Sequence, residues 1–113
     1  MKMEAVTLVA CLLSGPILHA EKWVLCTASE PVYGNHVTHV YLSDAFRMDD
    51  NVQPFQYLDG WDAFVKSHYS TKEARPDCEF TYPTKGDADT ARDRAAERSE
   101  KNGFTVIFTH WTY

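Results

Sequence analysis

The sequence predicts a small α+β domain of order ββαβαβ, a four-stranded mixed sheet with two helices packed on one face. Three observations predict it. Apolar and β-favouring residues cluster with period two in four stretches, two further stretches repeat every three or four residues, and two cysteines fall in the first and third of the strand-like stretches.

The chain opens with a mostly apolar run, residues 5–18, preceded by Lys2. That is the length of a signal-peptide core and too short for a membrane span. Leu18-His19-Ala20 offers a small residue to the peptidase, so cleavage is expected before Glu21, dividing the chain into a signal peptide (1–20) and one domain (21–113). Cys11 could be read as an acylated lipoprotein cysteine. Such a site closes the apolar run, however, and here the run continues to Leu18, so Cys11 is expected to leave with the leader. The remaining 93 residues suffice for one core and contain no membrane span. Removing Lys2 and Glu4 together leaves the net charge at -5, which argues against a phosphate-tracking nucleic-acid surface.

Residues 22–29 form the first predicted strand. Trp23, Val24, Leu25 and Thr27 occupy both faces of a period-two element, so the strand belongs inside the sheet. Pro31 and Gly34-Asn35 punctuate a connection of hairpin length, and residues 36–42 give a second, antiparallel strand. A polar loop follows through Asp44, Asp49 and Asp50, with Phe46 as its anchor to the core. From Phe55 the period changes: Phe55, Leu58, Trp61, Phe64, Val65 and Tyr69 make the stripe of an amphipathic helix, which Gly60 weakens by about 1 kcal/mol relative to alanine.

Pro76 ends a charged connection, and residues 78–82 alternate as a third strand with Cys78, Phe80 and Tyr82 on one face. Thr84 with Asp87 starts a second helix, which Asn102-Gly103 stops. Its inner face is Ala88, Ala91 and Ala95, small enough for close approach to the sheet. Its outer face is charged, with Arg92, Arg94 and Arg98 among its residues and Glu97 placed to pair with Lys101. Residues 104–111 form the last strand. Right-handed crossovers are expected to put both helices on one face and to make strands two, three and four parallel. With the first strand antiparallel beside the third, Cys26 and Cys78 come within bridging reach. They are also the two cysteines left in an exported chain, and their bridge closes a loop of about 53 residues.

Candidate chemistry is sparse. Cys26 and Cys78 lack the close spacing of a redox pair or zinc site. His36 and His39 point to opposite faces of a strand, His68 and His110 are expected at the surface, and no serine or cysteine occupies a recognisable nucleophile motif. Asp44, Asp49, Asp50, Asp59 and Asp62 do not follow the alternating ligand spacing of a calcium loop. No metal or other cofactor is therefore expected. A sheet with both helices on one face leaves the other face bare, and Tyr41, Tyr82, Trp111 and Tyr113 are expected to form a binding surface there.

Trp23-Val24-x-Cys26, Val40-Tyr41-x-Ser43-Asp44-x-Phe46, Phe64-Val65 followed by Tyr69, Cys78, an alanine-rich charged helix and Val106-x-x-Thr109-x-Trp111 run through nearly the whole processed chain. In these features it resembles a group of small exported bacterial proteins of uncharacterised function. The resemblance implies a secreted or periplasmic location and the same disulfide, and it carries over no catalytic or binding residue. The function expected is that of a non-catalytic interaction module whose partner is a protein or cell-envelope polymer. A small hydrolase using a histidine and an aspartate is the alternative.

Overall fold

A computed structural model describes residues 21–31 and 38–113. The leader with Cys11, the cleavage point before Glu21, the turn at Gly34-Asn35 and His36 lie outside the described residues. At the centre runs an extended segment whose two halves are β1 (Trp23–Val24) and β2 (Thr27–Ser29). Strands β3 (His39–Leu42) and β4 (Phe46–Arg47) pair antiparallel along one side of it. Along the other side lie β5 (Arg75–Asp77) and β6 (Thr81–Tyr82), also antiparallel. The last strand, β7 (Thr105–Phe108), is parallel to β3. The domain is thus α+β, with a four-stranded mixed sheet ordered β5-β2-β3-β7 and a three-stranded sheet ordered β4-β1-β6. The first strand is central and antiparallel to the third, and Cys26 is bonded to Cys78 with their Cα atoms 4.2 Å apart.

The register explains why each flanking strand is broken. Val24 pairs with Phe46 and Thr27 with Leu42, so residues 25–26 oppose residues 43–45. On the other side Val24 pairs with Thr81 and Thr27 with Asp77, so the same two residues oppose 78–80. Each flank carries one extra residue, a β-bulge. The first bulge stays hydrogen-bonded: Ser43 N–H donates to the Cys26 carbonyl at 3.0 Å, and Cys26 N–H donates to Ser43 Oγ at 2.9 Å. The second inverts the alternation expected for the third strand. Cys78 packs with the cluster holding Val24, Cys26 and Ala28, whereas Phe80 and Tyr82 face the other side with Leu25 and Thr27.

Helix α1 (Pro54–His68) buries Tyr57, Trp61 and Val65, one per turn. Phe55, expected in that stripe, is 62% exposed, because the inward register passes through Tyr57 instead. The Trp61 indole donates to the Thr27 carbonyl at 2.8 Å, tying the helix to the central strand. Opposite Gly60 the C-terminal rings lie against bare helix surface: a Cβ there would sit 3.5 Å from both Trp111 and Tyr113. Helix α2 (Lys85–Lys101) starts at Thr84, whose hydroxyl accepts from Asp87 N–H at 3.0 Å, and is followed by Gly103 in the left-handed region at φ 88°. Its ion pairs run from Lys85 to Asp89 and from Arg92 to Asp44, Asp89 and Asp93, not from Glu97 to Lys101.

The two helices do not share a face. Tyr41 belongs to the α1 cluster with Trp61 and Val65, while its strand neighbours Val40 and Leu42 pack with Ala96, Phe104 and Val106 beside α2. Adjacent strand residues point to opposite sides, so α1 and α2 cover opposite sides. The sheet order gives the reason. The first crossover runs from β3 over β2 to β5, and the second returns in the opposite sense to β7, so a common right hand requires opposite faces. The bare sheet face expected from the sequence is covered by α1.

Candidate functional site

Central-strand side chains that point away from α1 meet Val40 and Leu42 to make an apolar floor under α2. Above it, Ala91 and Ala95 are one turn apart and too short to fill the space. Of the alanines expected on the inner face, Ala88 is buried and Ala95 packs partly buried beside Ala96, so the helix approaches the sheet closely there. Between these contacts an open cleft of about 610 Å³ remains, bordered by Phe80, Tyr82 and Phe104. A volume of this size lies within the range of small-molecule sites, ~300–1,000 Å³. Thr27, Ser29 and Ser99 add hydroxyls to the lining, and Arg94 and Arg98 add guanidinium groups. Neither arginine side chain has an ion pair among the described residues, in contrast to Arg92. Phe80 stands 61% exposed on the margin, a large apolar surface left open to water.

The four aromatics expected to share a binding surface are divided between the two sides. Tyr82 lines the cleft. Tyr41 is buried on the α1 side. Trp111 packs edge-on against Phe46 at 5.6 Å and beside Trp61 at 5.3 Å. Tyr113 meets Tyr57 at 4.9 Å and remains half exposed.

A second polar constellation lies on the α1 side. Glu30 Oε1 accepts from His39 N–H at 2.9 Å and lies 2.9 Å from His39 Nδ1, while Oε2 accepts from the Tyr41 hydroxyl at 2.9 Å. The ionised carboxylate accepts only, so Nδ1 carries the histidine proton in that bond. Burial pushes the Glu30 carboxyl up, but bonds from the side chains of His39 and Tyr41, the His39 backbone and Thr71 outweigh it and hold the group below its ordinary value. Burial, then the bond to Glu30 and its negative charge, push the Tyr41 phenol up. A carboxylate stabilised in this way is a weak base and a phenol held protonated is a poor nucleophile, so the cluster fastens β3 to the chain before the hairpin.

The Glu30 cluster predicts a pH dependence. Because its pKa is lower in the folded chain, its stabilisation is present above the ordinary value, 4.5, and is lost as pH falls through the folded value. Glu30→Gln is expected to lower stability at neutral pH by about 1–3 kcal/mol and to flatten this acid limb, as read by urea unfolding at a series of pH values. An unchanged acid limb would assign the acid sensitivity to other carboxylates.

Of the remaining candidates, His110 and Asp44 come together and His68 lies apart from them. His110 Nδ1 lies 3.2 Å from Asp44 at the C-terminal tail, and His68 stacks on Phe64 at 4.9 Å. Asp49 is occupied in a turn, its carboxylate accepting from Asn51 N–H at 2.8 Å. Among the described residues no group of three or more His, Cys, Asp or Glu is arranged to hold a metal, and no helix is long and apolar enough to cross a membrane.

Two features were not read from the sequence. The cleft was one, although an all-alanine helix face between aromatic strand residues was its visible signal. Arg92 was the other: assigned to the outer face, it is half-buried and reaches Asp44, with its guanidinium 5.9 Å from the centre of the Phe108 ring. Long-range pairing of this kind has no local signature. The chain matches no known family model, no curated protein and no solved structure.

Proposed function

We propose that the protein is a small exported binding domain, stapled by Cys26–Cys78, that receives its ligand in the cleft between α2 and the sheet. The observation that carries this reading is the cleft itself, an apolar floor and aromatic margin joined to a few hydroxyl and cationic groups. Export is supported by the apolar leader at residues 5–18 and by the disulfide, which suits an oxidising compartment. The resemblance to small exported bacterial proteins points the same way. A protein or envelope polymer bound on an uncovered sheet face is no longer the favoured contact, since α1 occupies that face and Tyr82 alone of the four expected aromatics reaches the cleft. The hydrolase alternative gains no support there, because among the described residues no histidine or carboxylate lines the cleft.

Nile red, an uncharged apolar dye, tests the reading. The oxidised protein is expected to bind it saturably at one site, and Ala91→Leu, which puts added methyl groups into the cleft, is expected to weaken binding by about tenfold or more. Near-ultraviolet circular dichroism should be unchanged in the variant. Binding that never saturates, or that ignores the substitution in a folded variant, overturns the cleft as the site.

A further inference from the structure

Helix α2 separates its cations into two kinds. Lys85 and Arg92 face acidic partners, whereas Arg94 and Arg98 border the cleft with none among the described residues. They sit four apart, one turn on the same helix face, an arrangement in which like charges repel by a few tenths of a kcal/mol. The helix dipole favours Arg98, which lies in the last turn, but its reach does not extend to Arg94 one turn earlier. In a chain of net charge -5, two unpaired guanidinium groups beside an apolar cavity are a local reversal of sign. A guanidinium beside an apolar, poorly hydrated wall attracts an anion more strongly than one standing free in water.

Resting on the cleft reading above, we infer that the ligand is a free amphipathic monocarboxylate, its apolar body along the accessible Phe80, Tyr82, Ala91 and Phe104 lining and its carboxylate between Arg94 and Arg98. Among the described lining residues the two arginines are the only charged groups, which leaves nothing else there to hold a second headgroup. Both arginines lie on one margin, so the ligand enters with its charged end at α2 and its apolar end toward the sheet.

Three probes of one chain length separate the charge term from the cavity term: octanoate, 1-octanol and octylamine, each below its aggregation limit. Titration of the isotope-labelled oxidised protein, followed by backbone amide resonances, is expected to move the signals of Leu25, Leu42, Ala91 and Ala95. Octanoate should bind about tenfold or more tightly than octanol, with octylamine weakest. Arg94→Gln with Arg98→Gln should remove the preference for octanoate while leaving octanol affinity unchanged. Both side chains are exposed, so the double variant is expected to fold. If octanol and octanoate bind equally at the cleft, the carboxylate assignment is overturned and the cleft reading stands. If no probe moves those resonances and Nile red is also indifferent to Ala91→Leu, the cleft reading itself fails. Co-sedimentation with anionic phospholipid vesicles without binding of free octanoate would place the anion in a membrane surface and overturn the free-ligand assignment.

Discussion

Trp61→Ala is expected to lower unfolding free energy by about 3–5 kcal/mol, the largest single-residue loss in the domain. Trp61 is fully buried and lies where α1, the central strand and the C-terminal tail meet, with Trp111 at 5.3 Å and Phe64 at 6.2 Å. Truncation leaves a cavity that these neighbours cannot all close, because each is held by a different element. It also removes the indole donor from the Thr27 carbonyl, the one side-chain bond from α1 to the central strand described above. Against a typical total of about 5–15 kcal/mol, such a loss would leave the variant partly unfolded at 37 °C. Urea unfolding followed by tryptophan fluorescence and far-ultraviolet dichroism measures it. Trp61→Phe separates the two contributions, since it retains much of the volume and loses only the donor. A loss below ~1 kcal/mol for the alanine variant would show that the α1–sheet contact is not the principal core.

Breaking the disulfide comes next. Cys78→Ala is expected to lower stability by about 2–5 kcal/mol, as is usual for a small secreted domain losing a native bridge. The bonded residues are 52 apart, and the closed loop contains β2, β3, β4, α1 and β5, so reduction releases a large part of the unfolded chain from constraint. Cys26 is fully buried, so its partner's removal also leaves a thiol in the core with nothing to bond. Unfolding curves for the variant, and for the unaltered protein with and without reductant, should show matching losses. An unaltered protein indifferent to reductant, with two reactive sulfhydryls when denatured under non-reducing conditions, would refute the bridge.

Much of the architecture could be read from local pattern. The residues at 23–29 are apolar on both faces, which made the strand central; that placement brought Cys26 beside Cys78. Thr84 with Asp87, and Gly103 after the last turn, marked the ends of α2 because caps are short-range chemistry. What could not be read depends on register between distant segments. Alternation through residues 78–82 assigns Cys78 and Phe80 to one face, and only the comparison of two pairings with the central strand shows the extra residue that separates them. The helix faces failed for a similar reason: handedness was correct as a rule, but the result depends on the direction of each crossover, hence on strand order. Tyr41 was assigned to a bare surface as a consequence, and it is instead buried beneath α1. The cleft is legible only in part, since Ala91 and Ala95 suggest small contacts but not whether the partner surface closes over them.

Strand β7 is the last of the described strands to be synthesised, yet it pairs with β3 from early in the chain, Val40 opposite Val106. Beyond it, the Trp111 carbonyl accepts from Asp44 N–H at 2.9 Å, and the Trp111 ring packs against Phe46. A nascent chain that has not reached these residues lacks one edge of its sheet and part of the cover over its core. Its closing contacts all span long separations, so they form late and collectively rather than segment by segment. Closure of this edge is therefore deferred until the residues through Trp111 have been made, and their synthesis completes a sheet begun about seventy residues earlier, Val40 opposite Val106.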